Sequence, residues 1–205
     1  MTDIRKAGTM ILENLEMFNE AVILYKTKIH TEVGAELNTV IEDWAKECNW
    51  KVEDAWGSAD ECIDVAPPDW DIERSWFELY YLDESEISES SFMIADICGV
   101  GENKFVFQFK VKYRSFGGRT EWNRIFRSVP NEITKKISNC GFSYKNGIGD
   151  YYLPVSIDCK KLAIAWNEED YADVFEPITV VLDKLKNSKT HFDDLLTFMA
   201  REQLR

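Results

Sequence analysis

The chain has 205 residues, 45% of them hydrophobic and 13% aromatic, and carries a formal net charge of −13. This composition belongs to an ordered chain with a sizeable core and excludes a disordered or low-complexity protein. No run approaches the roughly 18 uncharged apolar residues of a membrane span, and the overall negative charge opposes capture of free duplex nucleic acid by the molecule as a whole.

The amino-terminal stretch MTDIRKAGTMILENLEMF holds Glu13 and Glu16 within its apolar part, so it reads as no secretion signal. Residues 3 to about 50 read as helix. Ile4, Ile11, Leu15, Phe18, Val22, Tyr25, Ile29, Val33, Leu37, Val40 and Trp44 recur at steps of three, four or seven. Through Tyr25 the alternation is close to a heptad, and from Tyr25 to Leu37 each step is four. Thr31, as a cap ahead of Glu32 and Gly34, offers a restart. One unbroken helix of this length would run about 65–70 Å, longer than a compact domain of this size. The segment is therefore expected either to break near residues 30–34 or to project and form a coiled-coil homodimer through residues 1–50.

After Trp50 the character changes. The stretch from Trp50 to Glu73, with Gly57, Pro67 and Pro68, reads as short strands joined by acidic loops. SWFELYYL (75–82) and SFMIADIC (91–98) read as strands around the acidic turn DESEISES. A third strand, FVFQFKVKYR (105–114), alternates an apolar face with a basic one. Together they predict an antiparallel meander. FGGRTEW reads as a loop before a helical stretch. PNEITKKISNCG reads as a helix with Pro130 in its first turn, Ile133 and Ile137 inward and Gly141 closing it. Asn146-Gly147 is a hairpin signal before the strand YYLPVSID. Helix returns from about 159 to 204, with a start at Pro177 and a capping-box-like restart at Thr190 and Asp193. The prediction is an α+β protein: a helical arm (1–50), then a globular domain (51–205) whose mainly antiparallel sheet is covered by C-terminal helices.

Charge divides along the chain. Residues 51–96 hold fourteen acids against Lys51 and Arg74, while residues 97–136 hold nine basic residues against Glu102, Glu121 and Glu132. The acidic block is interleaved with aromatics, a composition suited to gripping a basic protein, with Asp60, Glu61, Asp64, Asp69, Asp71, Glu73 and Trp70 as candidate partner-binding residues. The same carboxylates, if ordered in rows, would mimic the phosphates of DNA. Lys110, Lys112, Arg114, Arg119 and Arg124 form the candidate basic face, suited to phosphate or to an acidic protein, with nucleic acid as an alternative partner of residues 104–136.

Other chemistry fails on residue type. The five cysteines form no CxxC pair, and with only His30 and His191 to join them a zinc site is not expected; reduced thiols of a cytoplasmic protein are. GVGENKF lacks the GK[ST] ending of a phosphate loop. Neither histidine lies near a serine or cysteine in a recognisable nucleophile setting. Gln108 and Lys110 share a strand face, and Glu78 and Asp96 are the acids on the preceding strand-like segments.

On PPDW (67–70), FELYY, FVFQFKVK and the late DYYLPVSID, the chain resembles the PD-(D/E)XK nuclease-like proteins of bacteria and their phages. The resemblance implies a nuclease-type fold in which Lys110 matches the motif lysine, Gln108 its acid, and Asp96 or Glu78 the earlier acid. An active enzyme of that kind would hold Mg²⁺ on Glu78 and Asp96. Glutamine at 108 departs from the pattern, because Mg²⁺ requires hard, preferably charged oxygen ligands. The expectation is accordingly a protein without cofactor, in a phage or mobile-element setting, that binds a macromolecule on a degenerate nuclease-like scaffold. A Mg²⁺-dependent nuclease is the alternative.

Overall fold

The fold is that of a computed structural model, which describes residues 3–57, 62–82, 92–145 and 150–204. Its centre is a six-stranded sheet in the order β1-β2-β3-β4-β6-β5, antiparallel at every pair. The strands are β1 (Lys51–Glu53), β2 (Ile63–Ala66), β3 (Ser75–Tyr81), β4 (Phe105–Val111), β5 (Ser143–Lys145) and β6 (Asp150–Pro154). With its long N-terminal helix and helices at the C-terminus, the chain is α+β, as its patterning predicts.

Alternation along β3 and β4 sets the two faces. Phe77 lies opposite Phe109 and Leu79 opposite Phe107, all buried. They meet α8 (Glu176–Gln203), whose Phe192 has its ring 5.1 Å from Phe77, 4.6 Å from Phe109 and 5.7 Å from Tyr151. A single cluster of buried apolar residues joins this face to α3 (His30–Cys48), α5 (Arg119–Phe126), α6 (Asn131–Asn139) and α7 (Cys159–Glu168).

Several elements differ from expectation. IADIC is not a strand: Met93–Ile97 forms the short helix α4, with Met93, Ile94, Asp96 and Ile97 all buried. A strand alternates its faces, so it would have sent half of these residues away from the core. FGGRTEW is only partly a loop, because α5 starts at Arg119 behind Gly117 and Gly118, both at positive φ. β4 stops at Val111, and Arg114 lies in a 3₁₀ turn, Tyr113–Phe116. Thr190 starts no helix, since α8 runs unbroken for 28 residues past it. The core contacts of α8 continue on both sides of Thr190, through Leu185, Ser188, Phe192 and Leu195, so packing overrides the local capping signal. The turn DESEISES and the Asn146-Gly147 pair lie outside the described residues, as do Asp60 and Glu61.

The N-terminal helix neither ends nor restarts at residues 30–34. α1 (Asp3–Glu13) kinks at Asn14 into α2 (Leu15–Leu24), a π-helical turn spans Tyr25–Ile29, and α3 continues from His30. At the kink the Asn14 side chain donates to the Met10 carbonyl, a local bond that competes with the helix ladder. Gly34 serves packing rather than capping: a Cβ there would come 2.7 Å from Cδ1 of Trp56. From Val33 onward α3 belongs to the core, whereas α1 and α2 bury no residue. Among the described residues, no helix is long and apolar enough to cross a membrane.

Candidate functional site

The face of the sheet turned away from Phe192 carries a polar row. Register places Glu53 opposite Asp64, Asp64 opposite Glu78, Glu78 opposite Gln108, and Gln108 opposite Tyr152. Directly opposed side chains on one face have their Cβ atoms about 4.5–5.5 Å apart, so three carboxylates stand side by side before the row reaches Gln108. Lys110, two residues along β4, places Nζ 2.9 Å from Oε2 of Glu78.

Asp64 carries the strain of this arrangement. It is half-buried, and its Oδ1 has no hydrogen-bond partner among the described residues. Burial, reinforced by Glu78, Asp54 and Glu53 and opposed by Lys110, pushes its carboxyl up to about 7. Single ligand atoms of Cys62, Asp64 and Glu78 lie within 4.8 Å of one another. Two carboxylates suit a hard cation such as Mg²⁺, but a thiol does not, and Lys110 already balances Glu78. The row can hold a proton or meet a cationic group. As a metal site it is two-coordinate in oxygen from these three residues.

The other expected site residues fall elsewhere. Asp96 sits on α4, only 2% exposed, and accepts hydrogen bonds from the backbone N–H and the Nδ2 of Asn103. It fastens a turn and is not part of the row, so the trio Asp96, Gln108 and Lys110 does not assemble as one strand-borne site. Trp70 is a core residue rather than an exposed anchor. Its ring stacks 5.5 Å from Phe77 and its indole N–H donates to Asp193. Asp69, Asp71 and Glu73 are exposed, as the acidic-surface reading requires. Lys189 bridges Asp69 and Asp193, and its hydrogen bond holds the Asp69 carboxyl below the usual carboxylate range.

The basic face is not one stripe. Lys110 pairs with Glu78, Lys112 with Glu73 and Arg124 with Glu121, while Arg119 lies over the ring of Tyr113. The first pair joins β4 to β3 and the second joins the residues just beyond the end of β4 to those just before β3, so the basic segment is folded against the acidic one.

Sequence reasoning paired Gln108 with Lys110 but did not place Asp64 in the same row, which it joins through Glu78, because the i, i+2 rule orders one strand and says nothing about register between strands. It offered the whole of residues 1–50 as a pairing segment, whereas the exposed apolar surface is concentrated on the first half of it. Of fifteen large apolar side chains exposed among the described residues, nine are on α1 and α2: Ile4, Met10, Ile11, Leu12, Leu15, Met17, Phe18, Ile23 and Leu24. Comparison of the chain with protein families, with curated proteins and with solved structures finds no significant match.

Proposed function

We propose that this protein works by binding macromolecules, without catalysis. It self-associates through α1 and α2, and it presents the acidic edge of its body to a basic protein partner. The observation that carries the reading is the concentration of exposed apolar side chains on one projecting element. A patch of that kind marks an interaction surface, since scattered single apolar residues are the norm elsewhere. The second half of the proposal rests on Glu53, Asp54, Asp69, Asp71 and Glu73, all exposed along the β1–β3 side of the sheet. Trp70, buried as it is, contributes to the core rather than to recognition.

Sedimentation equilibrium of the full chain, beside a chain lacking residues 1–24, tests the first half. The full chain is expected to associate and the shortened one to stay monomeric; a monomeric full chain at about 100 µM would defeat it. A lysine-rich peptide tests the second. Binding is expected to weaken about tenfold between low and physiological salt, and to fall further in Asp71→Lys with Glu73→Lys.

The convergence of Asp64, Glu78 and Lys110 favours one other reading, a Mg²⁺-dependent nuclease of the PD-(D/E)XK kind. There Asp64 and Glu78, rather than Asp96, would hold the cation that polarises the phosphate, and Lys110 would face the developing charge. Plasmid incubated with Mg²⁺ or Mn²⁺ decides this. Cleavage abolished by Lys110→Ala would replace the binding-only reading, and no cleavage by either protein would remove the nuclease.

A further inference from the structure

The apolar seam of the arm is Ile4, Gly8 and Ile11 on α1 and Leu15, Phe18 and Val22 on α2, alternating steps of four and three in sequence on the two sides of the kink at Asn14. In heptad terms Ile4, Ile11 and Phe18 take one core position, and Gly8, Leu15 and Val22 the other. The next two seam residues, Tyr25 and Ile29, already pack against the body, so the free seam ends at Val22.

This set of six is symmetric about residue 13. Reversing it pairs Ile4 with Val22, Gly8 with Phe18, and Ile11 with Leu15. Each pair joins one heptad core position to the other, as antiparallel helices require. The largest side chain of the seam meets the one position that has none: a Cβ added at Gly8 would meet nothing within 4 Å, so the gap is open to a visitor. A parallel pairing would set Gly8 on Gly8 and Phe18 on Phe18, a hole above a bulge.

The exposed side chains on and beside the seam, Ile4, Ile11, Leu12, Leu15 and Phe18, amount to roughly three whole side chains, on the order of 500 Å² per chain, which is one side of a small interface of the weak, concentration-dependent kind.

Resting on the self-association reading above, we propose that two copies of this chain pair antiparallel through α1 and α2, with Phe18 of each seated in the gap at Gly8 of the other.

Size exchange in the full chain, read by sedimentation equilibrium, tests the register. Gly8→Leu is expected to weaken association by about tenfold or more, although leucine is the better helix former and would by itself favour the arm. Phe18→Ala is expected to weaken it comparably, by emptying the gap. The double variant Gly8→Leu with Phe18→Ala is expected to return to within about threefold of the original, because leucine then enters the space vacated by the ring. Both positions lie outside the core, so the unfolding midpoint of the body reports that each variant is intact. Tighter association of Gly8→Leu, or a double variant no better than the worse single one, would overturn the antiparallel register and leave self-association standing. A chain that stays monomeric at about 100 µM would overturn both.

Discussion

Asp64 illustrates how one residue records its neighbourhood. Glu78 stands directly opposite it on β3 and Glu53 on β1, so the fold holds it best as a neutral acid. Its carboxyl is pushed up to about 7, from an ordinary value of 3.8 that the unfolded chain retains. The folded form therefore binds a proton more tightly than the unfolded form. Stability from this group is fully present below about pH 4, is lost as pH rises toward 7, and stays lost above it. That displacement converts to about 4 kcal/mol with no screening, and solvent at this partly exposed position reduces it to about 1–2 kcal/mol. Asp64→Asn keeps the shape and removes the titration. Urea unfolding near pH 5 and near pH 8 is expected to give the variant a flatter pH profile and an advantage of about 1–2 kcal/mol at the higher pH. An unchanged slope would mean that Asp64 ionises freely.

At the scale of elements, α8 and the turn before β3 form a clamp that local patterns did not announce. Trp70 donates its indole N–H to Asp193 at 2.7 Å, and Lys189 reaches both Asp193 and Asp69. Asp193→Ala would leave the indole N–H without its acceptor and Lys189 with one partner fewer. A loss of about 1–3 kcal/mol is expected in chemical unfolding, with Asp193→Asn recovering part of it through the remaining carbonyl. The sequence showed Asp193 as a capping residue beside Thr190, because capping is a local pattern and the partner 123 residues away is not. The same limit explains what was legible. The helical period of the arm, the alternation of β3 and β4 and the helix after Pro130 are periodic within themselves, and these helices and strands are present. IADIC was ambiguous because a five-residue apolar run has no period of its own. The polar row depended on register, which only the assembled sheet supplies. Gln108 and Lys110 were legible as a pair, whereas Asp64 joined them only through Glu78.

Over the whole molecule, the division of charge along the sequence is largely undone in space. The acidic segment 51–96 and the basic segment 97–136 become adjacent strands, and Lys110–Glu78 at 2.9 Å and Lys112–Glu73 at 3.0 Å tie them together. What remains outside is the surplus of acid, which supports the proposed cationic protein partner over nucleic acid. The pairs are not equal. Glu73 and Lys112 are exposed, and pairs of that kind contribute little, whereas Lys110 and Glu78 are mostly covered and hold each other's charge away from solvent. A polyanion must therefore displace Glu78 to use Lys110, against a net charge of −13. The full chain is expected to pass unretained through immobilised heparin at about 50 mM salt. Glu73→Gln with Glu78→Gln removes these two carboxylate partners while changing only two charges, and this variant is expected to be retained and to elute as salt is raised. Retention of the unaltered protein would show the basic segment open to phosphate and favour nucleic acid as the partner of residues 104–136. If the paired variant also flows through, the lysines are held by the fold rather than by their carboxylates.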